Sequence, residues 1–348
     1  MRLSAVFFLI LTLLSPARGA KVGLLFSEKN PSTPRAVALA WEVASSFRLE
    51  GLPLWLAVYD PGPGGKKALS AVRRARSEGV SLLIGPLDPA ANEAALTAAR
   101  AFGLPIVLLA GDLDPLKIPG EPFRGVFRTG LSPRLAARGI LRCMAARGVK
   151  RVGLLLSLNR EGRTGLKWLR IYAWEYRLRI QKTVWFGPED TYLYPKFEDL
   201  LSAEAVIVWS DRESAAKVAR ALRDYGLRIP VVFGPEVADE EFLAAHGELT
   251  GYPFPATALY LPARVRLTGG HPSPETAALV DALYLIRTVL TKGLLLTERS
   301  LEELKKVRLP GGTYYLSSDD HYGLLPESVG LFTYGPEGFR VYCAPKFP

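Results

Sequence analysis

From Gly79 to Gly111 the chain reads GVSLLIGPLDPAANEAALTAARAFGLPIVLLAG: an apolar run, a Gly-Pro turn, a small-residue helical stretch, a glycine stop and a second apolar run. Short apolar runs bounded by turn residues are strands buried on both faces, which is the condition of a parallel sheet. The segment is therefore one βαβ unit. Its turn leaves the first strand at Gly85-Pro86 and enters a helix near Pro89. Backbone N–H groups there, at Ala90 and Ala91, and the strand-end residues Asp88 and Ala110 then border the crevice where doubly wound sheets bind small ligands.

The same alternation extends in both directions. Residues 21–27 form a strand, 34–49 carry apolar residues at helical spacing, 54–59 form a second strand closed by Asp60-Pro61-Gly62, and 68–77 form a helix. Four βα steps complete a lobe near Asp112. After Phe123 the pattern restarts, with Ser132 as N-cap, Pro133 as first helical residue and Gly148 as the stop before a strand at 151–156. A helix at 164–176, strands at 183–186 and 205–209, a helix at 213–225 and a strand at 230–233 continue this second lobe; Ser210 and Glu213 have capping-box spacing. Beyond Tyr252-Pro253-Phe254-Pro255 a long helix runs from Ser273-Pro274 to a stop at Gly293. A short helix at 301–307, with a second capping box from Ser300 to Glu303, precedes a hairpin of strands 330–334 and 339–343.

A length of 348 residues suits two such lobes better than one core. The first twenty residues pair Arg2 with an apolar run from Ala5 to Leu14 and end in small residues, the pattern of a secretory signal peptide. Ala17 and Ala20 both fit as cleavage points, and neither is followed by the cysteine of a lipoprotein. That run is about half the roughly 20 residues a membrane span requires. An exported, soluble protein is expected, in the periplasm or an equivalent extracytoplasmic space. Export permits a disulfide between Cys143 and Cys343, but the simpler expectation is two buried free thiols. The formal charge of +10 falls to +8 without Arg2 and Arg18. Lys and Arg are spread along solvated helix faces, as in Ala71-Val72-Arg73-Arg74-Ala75-Arg76, which argues against nucleic acid as a partner. Only Asn30, Asn92, Asn159 and Gln181 carry amides, a scarcity that points to a thermophilic source.

Motifs for catalysis are missing from the sequence. PGPGGKK at 61–67 fails as a phosphate loop, because Asp60 stands where a glycine is required and Lys67 where a hydroxyl is. There is no G-x-G-x-x-G after the first strand, no G-x-S-x-G, no H-E-x-x-H and no paired C-x-x-C. His246, His271 and His321 are scattered singly, and Asp319-Asp320-His321 reads as an Asp-rich turn before it reads as a metal site. No catalytic residue, metal or cofactor is assigned. Polar residues do gather where strands end: Glu28 and Asn30, Asp88 and Asp112 in the first lobe; Asn159 and Glu161, Asp211 and Glu236 in the second. Any one could be a helix cap, but together they outline a cleft between lobes.

The order of KVGLLFS, VYD, LLIGP, GLPIVLLAG, FRTGLSP, KRVGLLLS, FGPE, VDALYLI and DHYGL resembles the type I periplasmic binding fold, specifically the branched-chain amino-acid (Leu/Ile/Val) binding proteins of ABC importers. The resemblance spans essentially the whole exported chain. It implies an α/β protein of two doubly wound, Rossmann-like lobes joined by three crossovers near 127–130, 251–254 and 324–328. One lobe would comprise 21–128 and 253–325, the other 129–252 and 326–348. The implied function is that of a monomeric, non-catalytic receptor that closes on a small molecule and delivers it to an ABC permease in the inner membrane. Glu236, in FGPE, matches the acid that receives the ligand's ammonium. The hydroxyl that helps hold the α-carboxylate falls at Pro89, the usual Thr after the second apolar run is replaced by Asp112, and the Tyr-Gly pair appears as Glu161-Gly162. These departures imply a ligand more polar or more basic than leucine, an amino acid or a derivative. A ligand-sensing receptor of the same fold, or a glycosyltransferase of two Rossmann-like lobes, are the alternatives.

Overall fold

The computed structural model describes residues 20–52, 54–111, 125–318 and 320–346; the leader and Asp112 lie outside the described residues. The first sheet is built from β1 (Ala20–Leu25), β2 (Leu54–Tyr59), β3 (Leu82–Ile84), β4 (Ile106–Leu108) and β5 (Val126–Arg128), with helices α1 (Thr33–Leu49), α2 (Ala68–Ser77) and α3 (Asn92–Ala101) on its faces. All five strands are parallel in the order β2-β1-β3-β4-β5. The first lobe does not end at residue 112, since β5 adds a fifth strand before the chain crosses over. Strands β3 and β4 are equally short; what sets β5 apart is that it runs straight into the crossover rather than into a helix of its own lobe.

The second sheet repeats this winding. Helix α4 (Pro133–Ala146) leads into β6 (Arg151–Ser157), α5 (Arg160–Glu175), β7 (Arg179–Phe186), α6 (Tyr194–Glu198), β8 (Ala205–Trp209), α7 (Arg212–Tyr225) and β9 (Val231–Phe233). Its order, β7-β6-β8-β9, again starts in the middle and reverses after its second strand. Strands β3, β4, β8 and β9 are buried throughout, as a sheet covered on both faces demands. Both halves are thus doubly wound α/β lobes, and each has a switch point at the carboxyl ends of its strands.

The rest of the chain joins them. Helix α8 (Glu240–Ala245) is followed by β10 (Phe254–Ala256), α9 (Pro274–Thr291), α10 (Glu298–Glu302), the hairpin β11 (Lys306–Leu309) and β12 (Gly312–Tyr315), and the hairpin β13 (Gly330–Gly335) and β14 (Gly338–Cys343). Strand β10 pairs with β13, and the Phe233 N–H donates to the Pro253 carbonyl at 2.8 Å, stitching this small sheet to β9. The helix expected at 301–307 is instead α10 followed by a strand: Thr297, not Ser300, caps the helix, and Val307 and Leu309 alternate with exposed Lys306 and Arg308. Period-two burial overrode the capping signal there. Likewise Asp211, one residue after Ser210, accepts the Ser214 N–H at 2.9 Å and starts α7, so the Ser210–Glu213 box does not form.

Helix α9 is buried on nearly every face, and its buried acid, Asp281, accepts the Gly311 N–H at 2.7 Å while its other oxygen lies 2.7 Å from the Tyr314 hydroxyl. The first crossover is tied to the same helix, because Thr129 Oγ1 donates to the Ala278 carbonyl at 2.8 Å and its own carbonyl lies 3.1 Å from the Tyr314 hydroxyl. At Gly130 a Cβ would sit 2.0 Å from the Leu109 carbonyl oxygen, so only glycine lets the crossover approach the end of the first sheet. The third crossover is held by Arg142, which donates to the Pro326 carbonyl at 2.9 Å.

Cys143 of α4 and Cys343 of β14 are disulfide-bonded, correcting the expectation of free thiols. Residues 200 apart in sequence stand with Cα atoms 6.0 Å apart, within bridging distance, because α4 packs against β13. Closing a loop of that length is worth up to about 5 kcal/mol by chain entropy. Reduction is therefore expected to lower the guanidinium unfolding midpoint substantially, and Cys143→Ser/Cys343→Ser should behave like the reduced protein in the same titration.

Burial pushes the Asp281 carboxyl up to about 7, against the lowering pull of the Gly311 N–H and Tyr314 hydroxyl. A carboxyl whose folded pKa is raised costs nothing below the unfolded value near 4 and progressively destabilises as pH rises toward 7. Asp281→Asn should keep both hydrogen bonds and flatten that decline, measured as unfolding free energy from pH 4 to 8.

Candidate functional site

A cavity of about 690 Å³ opens between the two lobes, within the size range of small-molecule sites. Its walls come from the carboxyl ends of strands in both sheets and from the crossovers. The first lobe contributes Asn30, Ser32, Leu87, Asp88, Pro89, Ala90 and Gly111; the second contributes Arg160, Glu161, Thr164, Asp211, Arg212, Glu213 and Glu236; the connecting segments contribute Thr129, Thr257, Tyr260 and Glu275. Five of the residues singled out in the sequence therefore share one cavity: Asp88, Ala90, Glu161, Asp211 and Glu236. Glu28 does not line it; that side chain is exposed, and Asn30 two residues on reaches the wall instead. Ala110 is buried behind the wall, which Gly111 forms in its place.

Glu236 follows β9 on a single helical turn entered through Gly234-Pro235. Its Oε2 is shut off from solvent without a hydrogen-bond partner, as is the Nε1 of Trp209 nearby. Burial raises this carboxyl to about 8 and Glu161 adds to the rise, against the lowering pull of its own backbone N–H, the Trp209 indole and the Arg212 guanidinium. Trp209 is itself fully buried, seated where Gly165 of α5 leaves room: a Cβ there would stand 2.5 Å from the ring. A second orphan is Thr257, just past β10, whose hydroxyl has no partner although the residue is only 5% exposed. Buried polar groups are normally satisfied, and here two unsatisfied ones share one cavity wall.

Asp211 is differently employed. Burial alone would raise it, but the Ser214 backbone and hydroxyl and the Asn159 amide, 2.7 Å away, hold its carboxyl below the usual range. Asn159 in turn caps α5, its Oδ1 accepting the Gly162 N–H at 3.1 Å and the Ser157 hydroxyl at 2.5 Å. A Cβ on Gly162 would lie 2.0 Å from the Ser157 carbonyl oxygen, so glycine is required for this close turn. The network locks the loops after β6 and β8 together. Asp88 also acts as a cap, and this corrects the expected anion site at Ala90 and Ala91. The Ala90 N–H donates to Asp88 Oδ1 at 2.9 Å and the Ala91 N–H to the Asp88 carbonyl at 3.0 Å, so both donors are spent within the turn.

Arg212 is held on three sides, donating from Nε to the Glu236 carbonyl at 2.8 Å and lying 3.4 Å from Asp239 and 4.0 Å from Glu275. Arg160 stands exposed at the rim. Tyr260 is buried, with its hydroxyl donating to the Ala238 carbonyl. Thr257, Tyr260 and Glu275 escaped sequence reasoning because strand ends were searched only within βα units. Thr257 closes β10 and Glu275 opens α9, so extending the strand-end and first-turn rules to the connecting segments would have found both.

The histidines take no part in this cavity. His321 is buried with Nδ1 3.0 Å from the Val126 carbonyl and Nε2 3.0 Å from Glu302. Asp320 accepts the Tyr322 N–H at 2.9 Å, as an Asp turn does.

Comparison with known proteins agrees with this architecture. The family model described as periplasmic binding protein matches residues 26–284. The chain belongs to the periplasmic binding protein family. Its members are substrate-binding proteins rather than enzymes, and they work outside the cytoplasm; among the described residues no helix is long and apolar enough to cross a membrane. A putative branched-chain amino acid ABC transporter protein from Rhodospirillum rubrum superposes with a TM-score of 0.75 at 16% identity, covering 93% of this chain and 99% of that one. An ABC transporter substrate-binding protein from Desulfitobacterium hafniense, solved with Leu, gives 0.72 at 18% identity over the same shares. LivJ from Streptococcus pneumoniae, a branched-chain amino acid binding protein solved with isoleucine, gives 0.70 at 17% identity, covering 94% of this chain and 100% of that one. These similarities establish the type I periplasmic binding fold. No protein of curated function matches the chain in sequence.

Glu236→Gln removes the one carboxyl in the wall that must be buried alone. Wild-type stability should fall as pH rises from about 5 to 8, at a limiting slope of about 1.4 kcal/mol per unit for this group, because the unfolded chain ionises it first. Chemical denaturation across that range should show a smaller decline in the variant.

Proposed function

We propose that this protein is an extracytoplasmic receptor that captures a small, ammonium-bearing solute, an amino acid or a derivative of one, and delivers it to an ABC permease. The observation that carries the reading is Glu236: a carboxyl oxygen without a partner, on the wall of an interlobe cavity, just past the carboxyl end of β9. A ligand ammonium there would form a charge-assisted hydrogen bond and remove the cost of burying the carboxylate alone. The solved relatives named with Leu and isoleucine support an amino-acid-like solute of this size. In this reading 21–128 with 253–325 and 129–252 with 326–348 move as two lobes about the crossovers at 127–130, 251–254 and 324–328. Ligand contacts on both walls favour the closed arrangement, and closure is what the permease reads.

Because Glu236 holds its proton to about 8, an ammonium must displace that proton at neutral pH. Affinity should therefore climb with pH and level off above about 8, by as much as about tenfold per unit below it. Calorimetry in buffers of different ionisation enthalpy would register the released proton. The first test is a thermal-shift panel of amino acids, amines, sugars and nucleotide sugars, in enough guanidinium to bring the midpoint into range. A ligand at a hundredfold excess over its dissociation constant adds about 2.7 kcal/mol. A shift with an amino acid or amine, lost in Glu236→Ala, supports the receptor. Shifts with nucleotide sugars alone would overturn it.

A further inference from the structure

Six acidic side chains line the cavity against two guanidiniums, five of them charged besides the protonated Glu236, although the whole chain carries a formal charge of +10. The imbalance is local and opposite in sign to the molecule. Both arginines are poorly placed to answer it, since Arg212 already faces the Glu236 carbonyl, Asp239 and Glu275, and Arg160 is exposed at the rim. The helix start that would receive a carboxylate is closed from within, its N–H groups held by Asp88. A carboxylate brought into this cavity would meet like charge and no free pair of backbone donors at that turn, a juxtaposition that costs binding. Apolar wall is supplied between the acids by Leu87, Leu131, Pro235, Ala256 and Ala277, which suits a run of methylenes. The unpartnered hydroxyl of Thr257 and the unpartnered Oε2 of Glu236 show that the cavity is built for a polar occupant and not merely acidic.

We infer that the ligand is an organic cation with two separated positive charges on an aliphatic chain and no carboxylate, one charge on Glu236 and the other on the remaining acids of the wall, Glu161 and Glu213 foremost. This rests on the receptor reading above and narrows its ligand class from amino acids to their decarboxylated, diamine-like relatives.

The test compares 1,5-diaminopentane with lysine, which differ by one carboxylate, and adds leucine and a panel of sugars, by calorimetry on the purified protein. Saturable binding of the diamine, with lysine weaker by at least about tenfold and leucine weaker still, is expected from the like-charge argument. Glu161→Gln should weaken the diamine several-fold without lowering the melting temperature, and Glu236→Gln should weaken it further. Lysine or leucine binding as tightly as the diamine would overturn this inference and leave the receptor for an ammonium-bearing solute standing, whereas saturable binding of a sugar alone would overturn both. If no solute in the panel binds, both readings fall.

Discussion

Neighbouring parallel strands can be joined only through a crossover, and each crossover returns the chain to the end of the sheet from which every strand starts. That constraint places all the strand ends of β1–β5 on one rim and those of β6–β9 on another. The switch points after β1 and β6 open a crevice on each rim, and the crossover at Thr129-Gly130 sets the two rims against each other. The cavity follows from the winding. Its polar residues lie at strand ends because the turn after a buried parallel strand is the first place the backbone meets solvent, and the helix N-terminus that follows favours an acid or a hydroxyl.

Acids at such ends are then sorted by whether the backbone uses them. Asp88 and Asp211 are absorbed as caps, and their oxygens answer N–H groups of their own lobes. Glu236 sits in a turn too short to use its carboxylate, so the carboxyl stays buried and largely protonated. Acids past the strand ends thus have two fates: Asp88 and Asp211 stand at the N-cap position, where a short side chain reaches back to the turn, whereas Glu236 stands two residues beyond its cap, Gly234. Capping acids tie the wall to its own backbone, and the uncapped one is left with an unpartnered oxygen.

Much of this was legible in the sequence. Apolar runs of strand length, with Pro at helix starts and Gly at stops, located β2, α2 and β8 to the residue and the caps Ser132 and Ser273 correctly, because in a parallel sheet burial is uniform and local punctuation is strong. Legibility failed where a decision was tertiary. Strand β5 runs straight into the crossover rather than into a helix of its own lobe, and the β11–β12 hairpin carries a helix-like cap signal that packing against α9 overrules. The Cys143–Cys343 pair depends on a separation that no local pattern encodes. In the cavity, Asp88, Glu161, Asp211 and Glu236 could be read from strand ends, whereas Thr257 and Glu275 lie in connecting segments where no repeat announced an end. That the Ala90 and Ala91 N–H groups are spent on Asp88 is a matter of side-chain rotamer, invisible before coordinates.

Two buried carboxyls in this chain show how structure separates from function at equal cost. Burial raises both Asp281 and Glu236 well above the ordinary carboxylate range. Asp281 is met by the Gly311 N–H and the Tyr314 hydroxyl, and through Tyr314 it reaches the first crossover, so its burial fixes the position of the hinge. Glu236 has no such partners for Oε2, yet it lies on the wall of a cavity that both lobes share. An unsatisfied buried group is tolerated where something outside the chain satisfies it during function. Under the proposed receptor reading, a cation on Glu236 would recover a solvation deficit already present in the empty fold, while Asp281, satisfied from within the chain, serves only to hold the first crossover in place.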